Sequence, residues 1–528
     1  LRLIAPERAI LARDIDFKFR SQPDTTTLQA YSGDMLLDFS ARGGLEQIGK
    51  KGGELAKVVQ AQLKHRSIDQ LSLRKQLPNM ALHVVGGHNN IISNLLRYLH
   101  YEVSTFKLHL DANAREGVNG HLAVGQLKHG ALVIDTIHGI LQHIEDRLHF
   151  SATVHNDKRK NPNPFTATLQ SSLLEHGVKA EVAFTDANNK KGLQLGAQVE
   201  MAEGGTRVHL TPEKAIVAYR EFIINPDNFV FWGDDRRLKA NVSLLADDGT
   251  SLMLRAEEPD SIYNNDISVE INRLNLGELA SVLPYLPPVS GILNADFHIV
   301  EQDNQFSAVG MAEARKFAYQ GVEMGNLGAE LSYQPTKDGD HKADAFITFN
   351  GTEVAEASGT YYAKGEGSFA GNVKLKSLPL SMMDAFLEGT QTKMKGALNG
   401  ELTIVGTADK PVVNGTLTFD KAHLYSHVYG VDLTLASQPV EIHNSLIQLK
   451  DFALTTVDGS PLKMSGVINM ERPEAVFLNI DMIAKNFPVI DTKRKRESLV
   501  YGKVLTNFAA NIYGTPSKMT VRGLLTVL

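Results

Sequence analysis

The sequence predicts an all-β protein with a mainly antiparallel sheet, and three observations carry that prediction. Apolar and polar residues alternate with a period of two along much of the 528 residues, which is typical of strands with one apolar and one solvated face. Asp-Gly pairs at 248–249, 338–339 and 458–459 lie between alternating runs, and Asp-Gly favours the short turns that join antiparallel strands. Helical periodicity is confined to short segments. We therefore expect a large sheet with few helices.

The alternation is clearest in the last third of the chain. Over 396–406, Leu398, Leu402 and Ile404 share one parity, while Glu401 and Thr403 occupy the other. The residues that this pattern assigns to an apolar face are Leu398, Leu402, Ile404, Val413, Leu417, Phe419, Val431, Leu433, Leu435, Leu462, Met464 and Ile468. Gly400 and Gly415 follow asparagines inside these runs. We interpret both glycines as strand positions where backbones or a ligand approach closely.

Short helices are predicted at about 45–65, 89–99 and 276–283, the last ended by Pro284. We divide the chain into an N-terminal part, residues 1–270, which contains the first two helices, and a more regular, repeating part of the same sheet, residues 271–528. None of the helices is long enough to cover the sheet. The apolar face must then pack on a second sheet, close into a barrel, or curl over an apolar ligand.

We expect an elongated sheet curled into a U-shaped trough, because compact cores stop growing near ~250–300 residues, whereas a sheet that lengthens strand by strand has no such limit. The lining is mostly aliphatic, with one Trp and 7% aromatic residues in the chain. Glycine also recurs on the apolar parity, where a packed core would lose contacts. A closed sheet-on-sheet core is the alternative.

Composition excludes several functional classes. The 54 Lys and Arg against 60 Asp and Glu give a net charge of −6, which argues against nucleic acid as a partner. The absence of cysteine excludes disulfides, iron–sulfur ligation and thiol catalysis. No apolar run reaches the ~18 residues of a membrane span. The chain begins at Leu1 and stops within an apolar run, so we expect a piece of a longer protein.

No motif for catalysis or metal binding stands out. The Gly-x-Ser-x-Gly and His-Glu-x-x-His patterns are absent. Eleven of the 18 histidines fall between His65 and His155, and several occupy the polar parity of strands, so a structural or solvent-facing role is favoured over a zinc site. The basic run 493–496 lies between acidic residues, and a solvated loop is favoured over a headgroup contact. We expect no enzymatic activity, no cofactor and no metal.

A recurring sequence motif resembles that of a known family. Residues 396–419 contain Gly-x-Leu-x-Gly, then Gly-Thr, then Pro, then Gly-x-Leu-x-Phe. A second copy occupies 510–523, and a looser one surrounds 283–297. The motif resembles that of the TamB branch of the AsmA-like proteins of diderm bacteria, most closely the large Bacteroidota chains. The resemblance covers about 280–528 and fades upstream.

The resemblance implies a periplasmic protein anchored in the inner membrane by an N-terminal helix, which we expect to lie outside this sequence. It implies a trough that carries phospholipid between the inner and outer membranes, with acyl chains against the apolar face. The alternative is a scaffold or chaperone for outer-membrane β-barrels, with an Omp85-type partner met by a C-terminal part also outside this sequence. It would hold an unfolded strand in the trough or by β-augmentation. A β-helical lyase or adhesin would need regular coils of ~20–25 residues, which the sequence lacks.

Overall fold

The computed structural model describes residues 2–5, 8–11, 14–130, 132–157, 164–256, 264–283, 285–364, 367–387, 392–407, 410–472, 475–492, 501–516 and 518–528. The basic run 493–496 and Pro284 lie outside the described residues. The chain divides into two compact units, residues 1–258 with 278–286, and residues 259–277 with 287–528. The boundary predicted after residue 270 falls inside a strand of the second unit.

The first unit is an antiparallel sheet in which most strands pair with their neighbours in the chain; a separate hairpin precedes it. The hairpin is β1 (Arg2–Ala5) and β2 (Arg8–Leu11). The sheet strands are β3 (Asp16–Ser21), β4 (Thr25–Ser32), β5 (Met35–Arg42), β6 (Met80–Gly86), β7 (Glu102–Asn113), β8 (Gly117–His129), β9 (Leu132–Ile144), β10 (Arg147–Asn156), β11 (Phe165–Leu174), β12 (Gly177–Asp186), β13 (Lys191–Ala202), β14 (Gly205–Val217), β15 (Arg220–Ile224), β16 (Phe229–Gly233), β17 (Leu238–Leu245) and β18 (Ser251–Ala256).

Within the described residues, four short helices accompany these strands: α1 (Leu45–Lys64), α2 (Gln70–Lys75), α3 (Ile91–Tyr98) and α4 (Leu276–Ser281). Three of them lie where the sequence predicts helices. The sequence reasoning missed α2 because six residues are less than two turns and carry no clear period.

The second unit repeats the same antiparallel plan. Its strands are β19 (Asn265–Asn275), β20 (Val289–Gln302), β21 (Gln305–Tyr319), β22 (Val322–Pro335), β23 (His341–Phe349), β24 (Thr352–Tyr362), β25 (Ser368–Pro379), β26 (Thr392–Thr407), β27 (Lys410–Ser426), β28 (Val431–Leu435), β29 (Val440–His443), β30 (Leu446–Thr456), β31 (Pro461–Asn469), β32 (Phe477–Thr492), β33 (Gly502–Thr515) and β34 (Lys518–Val527). A 3₁₀ turn, Leu380–Phe386, follows β25. The predicted all-β, antiparallel class with few short helices is confirmed.

The three Asp-Gly turns share one geometry. Gly249, Gly339 and Gly459 have φ of +84°, +85° and +84°, values that glycine adopts without the steric cost of a Cβ. The N–H of each glycine donates to the carbonyl three residues earlier, at 3.0, 3.0 and 2.9 Å respectively. This is a three-residue hairpin with glycine in the left-handed position, so the predicted hairpin turns are confirmed.

Each unit contains one long strand followed by two short ones. β14 pairs with both β15 and β16, and β17 pairs with both in turn. In the second unit β27 pairs with β28 and β29, and β30 with both. The best-buried large apolar side chains lie on these short strands: Phe222 and Ile224 on β15 are each 1% exposed, and Ile442 on β29 is 2% exposed. These short strands are therefore places where the sheet packs as a core.

Candidate functional site

The strand register places the predicted apolar residues of β26 and β27 on one face. Directly paired residues of an antiparallel sheet project to the same side. Ile404 pairs with Val413 and with Gly371 of β25, and Leu402 pairs with Gly415. Leu398 pairs with Phe419, and Gly400 with Leu417, in the same register. All six predicted residues of these two strands therefore share one side of the sheet.

The predicted residues of β28 and β31 continue that side. The Phe419 ring on β27 lies 5.7 Å from the Phe452 ring on β30, centroid to centroid, and Phe452 pairs with Met464. Leu433 and Met464 pack against a buried cluster that includes Leu462. The same register carries the remaining residues: Leu435 pairs with Leu454, Ile468 pairs with Ile447, and Val431 alternates with Leu433. We call the side of the second unit that carries these twelve residues the apolar face.

The apolar face is covered only in part. Of its twelve predicted residues, Val431 and Leu462 are buried, at 8% and 9% exposure, and the other ten are half-buried. Glu401 and Thr403, on the opposite side, are exposed, as the alternation predicts. A closed core would bury nearly all of these side chains.

The face extends toward the start of the unit and becomes more open there. Paired positions lead from Leu402 to Val373, Ala357, Ala345 and Leu331. On these strands three large side chains of the same side are exposed, namely Leu331 at 47%, Ile347 at 40% and Tyr361 at 46%. The unit thus presents a continuous apolar strip to solvent.

The two Asn-Gly pairs inside the strands have a double role. A Cβ at Gly400 or Gly415 would overlap a carbonyl oxygen of the neighbouring strand, and Gly415 has φ +149°. The predicted close approach is therefore confirmed, and the approaching group is backbone. Because these glycines lie on the apolar face, the strands can bend toward it without crowding Cβ atoms.

The asparagines of these pairs hold irregular backbone positions in neighbouring segments, Ser377 in β25 and Asn444 in the turn between β29 and β30. Oδ1 of Asn399 accepts a 2.8 Å hydrogen bond from the N–H of Ser377, which has φ +56°. Oδ1 of Asn414 accepts one of 2.8 Å from the N–H of Asn444, with φ +49°. Asparagine thus satisfies a donor that a bulge in β25 or the turn between β29 and β30 removes from the ladder. The sequence reasoning missed this role, because neither the bulged residue nor the turn residue carries a signal of its own.

The opposite side of the second unit carries ion pairs, together with exposed apolar side chains such as Met311 and Phe346, at 58% and 38% exposure. Lys374 Nζ lies 3.2 Å from Glu401 Oε1. Lys376 contacts Glu353, and its Nζ lies 2.8 Å from Glu356 Oε2. Hydrogen bonds to Glu353 and Glu356 raise the pKa of the Lys376 ammonium, which favours its charged form.

The histidine-rich segment lies on the polar parity of the first unit. His83, His109 and His121 occupy directly paired positions on β6, β7 and β8. Their ring centroids are 5.9 and 5.5 Å apart, and His109 Nε2 lies 2.6 Å from Asp111 Oδ2. Across the described part of the chain, no group of three or more His, Asp or Glu side chains is arranged to hold a metal ion.

Comparison with known proteins finds no family model, no curated protein and no solved structure that matches this chain. Within the described ranges, every helix is too short or too polar to cross a bilayer. The candidate site is therefore the apolar face itself, defined by its geometry.

Proposed function

We propose that the apolar face binds the acyl chains of phospholipids and that the protein is a periplasmic lipid conduit between the inner and outer membranes. The observation that carries this proposal is a continuous strip of aliphatic side chains that the described residues leave half-covered. An apolar ligand would complete its burial, as a second sheet does in a sandwich.

Acyl chains suit this lining. Leu, Ile, Val and Met side chains offer dispersion contacts to a flexible methylene chain without demanding a fixed geometry. Each buried methylene contributes about 0.8 kcal/mol, so eight would contribute roughly 6 kcal/mol before ordering costs. The lining is uncharged, so headgroups stay in water at the open edge and the strip selects tails.

The family resemblance supports the same function. Its motif coincides with β26 and β27, where the Asn-Gly pairs bring two backbones together beneath the apolar face. From the resemblance we also propose that the protein is located in the periplasm and is anchored in the inner membrane. No catalytic step, cofactor or metal enters it.

Mass spectrometry of lipids extracted from the purified protein tests the proposal. We expect phospholipid at one or more molecules per chain, and delipidated protein should take up fluorescent phospholipid from detergent micelles. Protein that neither retains nor takes up phospholipid contradicts the conduit. One tightly held zinc or iron ion per chain, by elemental analysis, contradicts the expectation of no metal.

One observation favours a second candidate, a scaffold for outer-membrane β-barrel proteins. β34 pairs with β33 alone among the described residues, and Met519, Val521 and Leu525 on it are exposed. A strand edge of this kind can accept an unfolded β-strand. Photocrosslinking from Val521 should then capture nascent barrel protein, and crosslinks confined to lipid would contradict this candidate.

A further inference from the structure

Helix α3 in the first unit is oriented with its polar side inward. Its buried side chains are Ser93 and Asn94, at 2% and 8% exposure. Ile92 and Leu95 are 37% and 48% exposed, and Leu99, just after the helix, is 51% exposed. A helix on a water-soluble surface normally shows the reverse arrangement, so an apolar stripe facing outward needs an apolar environment to account for it.

Hydrogen bonds hold the helix in this orientation. Asn90 caps it, with Oδ1 accepting from the N–H of Ser93 at 2.9 Å, and Asn90 Nδ2 donates to Asp34 Oδ1 at 2.7 Å. Ser93 Oγ donates to the carbonyl of Gly87 at 2.6 Å. Burial raises the pKa of the Asp34 carboxyl, but hydrogen bonds from Asn90, Asn89 and Gly87 outweigh it, so the net pKa lies below its usual value. These hydrogen bonds hold the polar side of α3 against the first unit, so the apolar stripe on the other side of the helix faces outward.

The surroundings of the stripe match a lipid headgroup layer. The segment 87–101 contains no Asp or Glu, and its ionisable cations are Arg97, His88 and His100. Tyr98, on the same helix, is 41% exposed. Tyrosine is favoured at the interface between phosphate groups and acyl chains. The helix itself carries no carboxylate, which suits an anionic surface, and Asp34 lies on its polar side, away from the stripe.

We propose that α3 docks on the surface of a phospholipid bilayer, with Ile92, Leu95 and Leu99 entering the boundary between headgroups and acyl chains. The contact is with the bilayer surface, so it goes beyond the lipid binding proposed for the apolar face. The helix lies in the plane of the surface and does not cross it.

Flotation with vesicles of phosphatidylcholine and phosphatidylglycerol tests this contact. We expect the wild-type protein to float and Leu95→Glu to lose about tenfold or more in vesicle affinity, since a carboxylate at this depth is strongly disfavoured. Leu71→Glu is the matched control, because Leu71 lies on another short helix of the same unit and is 45% exposed. It should float like the wild type. Leu99→Glu provides a second variant should Leu95→Glu fail to fold.

A fluorescence experiment reports insertion at the same position. The chain has a single tryptophan, Trp232, so Trp232→Phe with Leu95→Trp places the only indole on α3. Its emission should shift to shorter wavelength when vesicles are added. Three results would overturn the proposal: wild-type protein that does not bind vesicles, an equal loss of vesicle affinity in Leu95→Glu and Leu71→Glu, or a tryptophan emission that vesicles do not shift. A concentration-dependent dimer that Leu95→Glu abolishes, without vesicle binding, would assign the stripe to protein instead.

The same variants separate this proposal from the conduit. Leu95→Glu should leave the phospholipid content of the purified protein unchanged, because the apolar face belongs to the other unit. Loss of flotation with retained lipid supports both proposals. Flotation without any bound phospholipid would contradict the conduit alone.

Discussion

Replacing Ile404 with Glu distinguishes an open apolar face from a closed core. Ile404 is half-buried, and its two paired neighbours are Val413 and Gly371. One neighbour thus has no side chain, and water can reach a carboxylate at this position. Burying a whole Ile side chain is worth about 1.5–3 kcal/mol, so the partial burial here should put the loss of unfolding free energy near 1–2 kcal/mol. That is a minor part of the ~5–15 kcal/mol of a typical domain.

Two matched variants calibrate the measurement. Thr403→Glu adds the same charge on the exposed opposite side and should change the unfolding free energy by less than about 0.5 kcal/mol. Ile442→Glu places the charge at a side chain that is 2% exposed on the apolar side of β29, and should cost more than about 4 kcal/mol or prevent folding.

The assay combines urea unfolding with the phospholipid content of each purified variant. We expect Ile404→Glu to fold and to lose bound lipid, while Thr403→Glu keeps both stability and lipid. If Ile404→Glu unfolds the protein as Ile442→Glu does, the face is a closed core and the reasoning is refuted. If it folds and retains its lipid, the acyl chains lie elsewhere.

Three further predictions concern single sites. Gly415→Ala should lower the free energy of unfolding by about 1–3 kcal/mol in urea, because its Cβ would meet a backbone carbonyl. The control is Gly53→Ala, in open space on α1, which should raise the free energy of unfolding by about 0.5–1 kcal/mol; equal effects of the two variants would contradict the close approach at Gly415. Asn399→Ala should cost about 0.5–1.5 kcal/mol and speed amide exchange at Ser377; unchanged exchange would show that water replaces the cap. The pKa of Asp248 is lowered, chiefly by the backbone hydrogen bond from Thr250, so its contribution is present above the unfolded pKa and lost as pH falls through the folded pKa. Asp248→Asn should thus lower Tm by about 1–2 °C at pH 7 and have no effect near pH 2, and an equal effect at both pH values would disprove the linkage.

Much of the second unit could be predicted because its signal is local. Side-chain direction in a strand alternates strictly, so the parity of Leu402 and Ile404 against Glu401 and Thr403 survives in the structure. The Asp-Gly turns were predictable for a similar reason, since a left-handed residue within a short hairpin strongly favours glycine. The orientation of α3 was not predictable, because its period is that of an ordinary amphipathic helix and only the fold decides which side is inward.

The sequence by itself determined the strand class, the antiparallel order and which residues share the apolar face, since each follows from backbone geometry over a few residues. Only the tertiary structure decided how far that face is covered. Ile404 and Ile442 both carry an apolar signal, yet one is half-buried and the other is 2% exposed. The difference arises where β27 is followed by two short strands, and that arrangement depends on pairing between residues distant in the chain. Burial is a property of what packs against a side chain, and no local pattern encodes it.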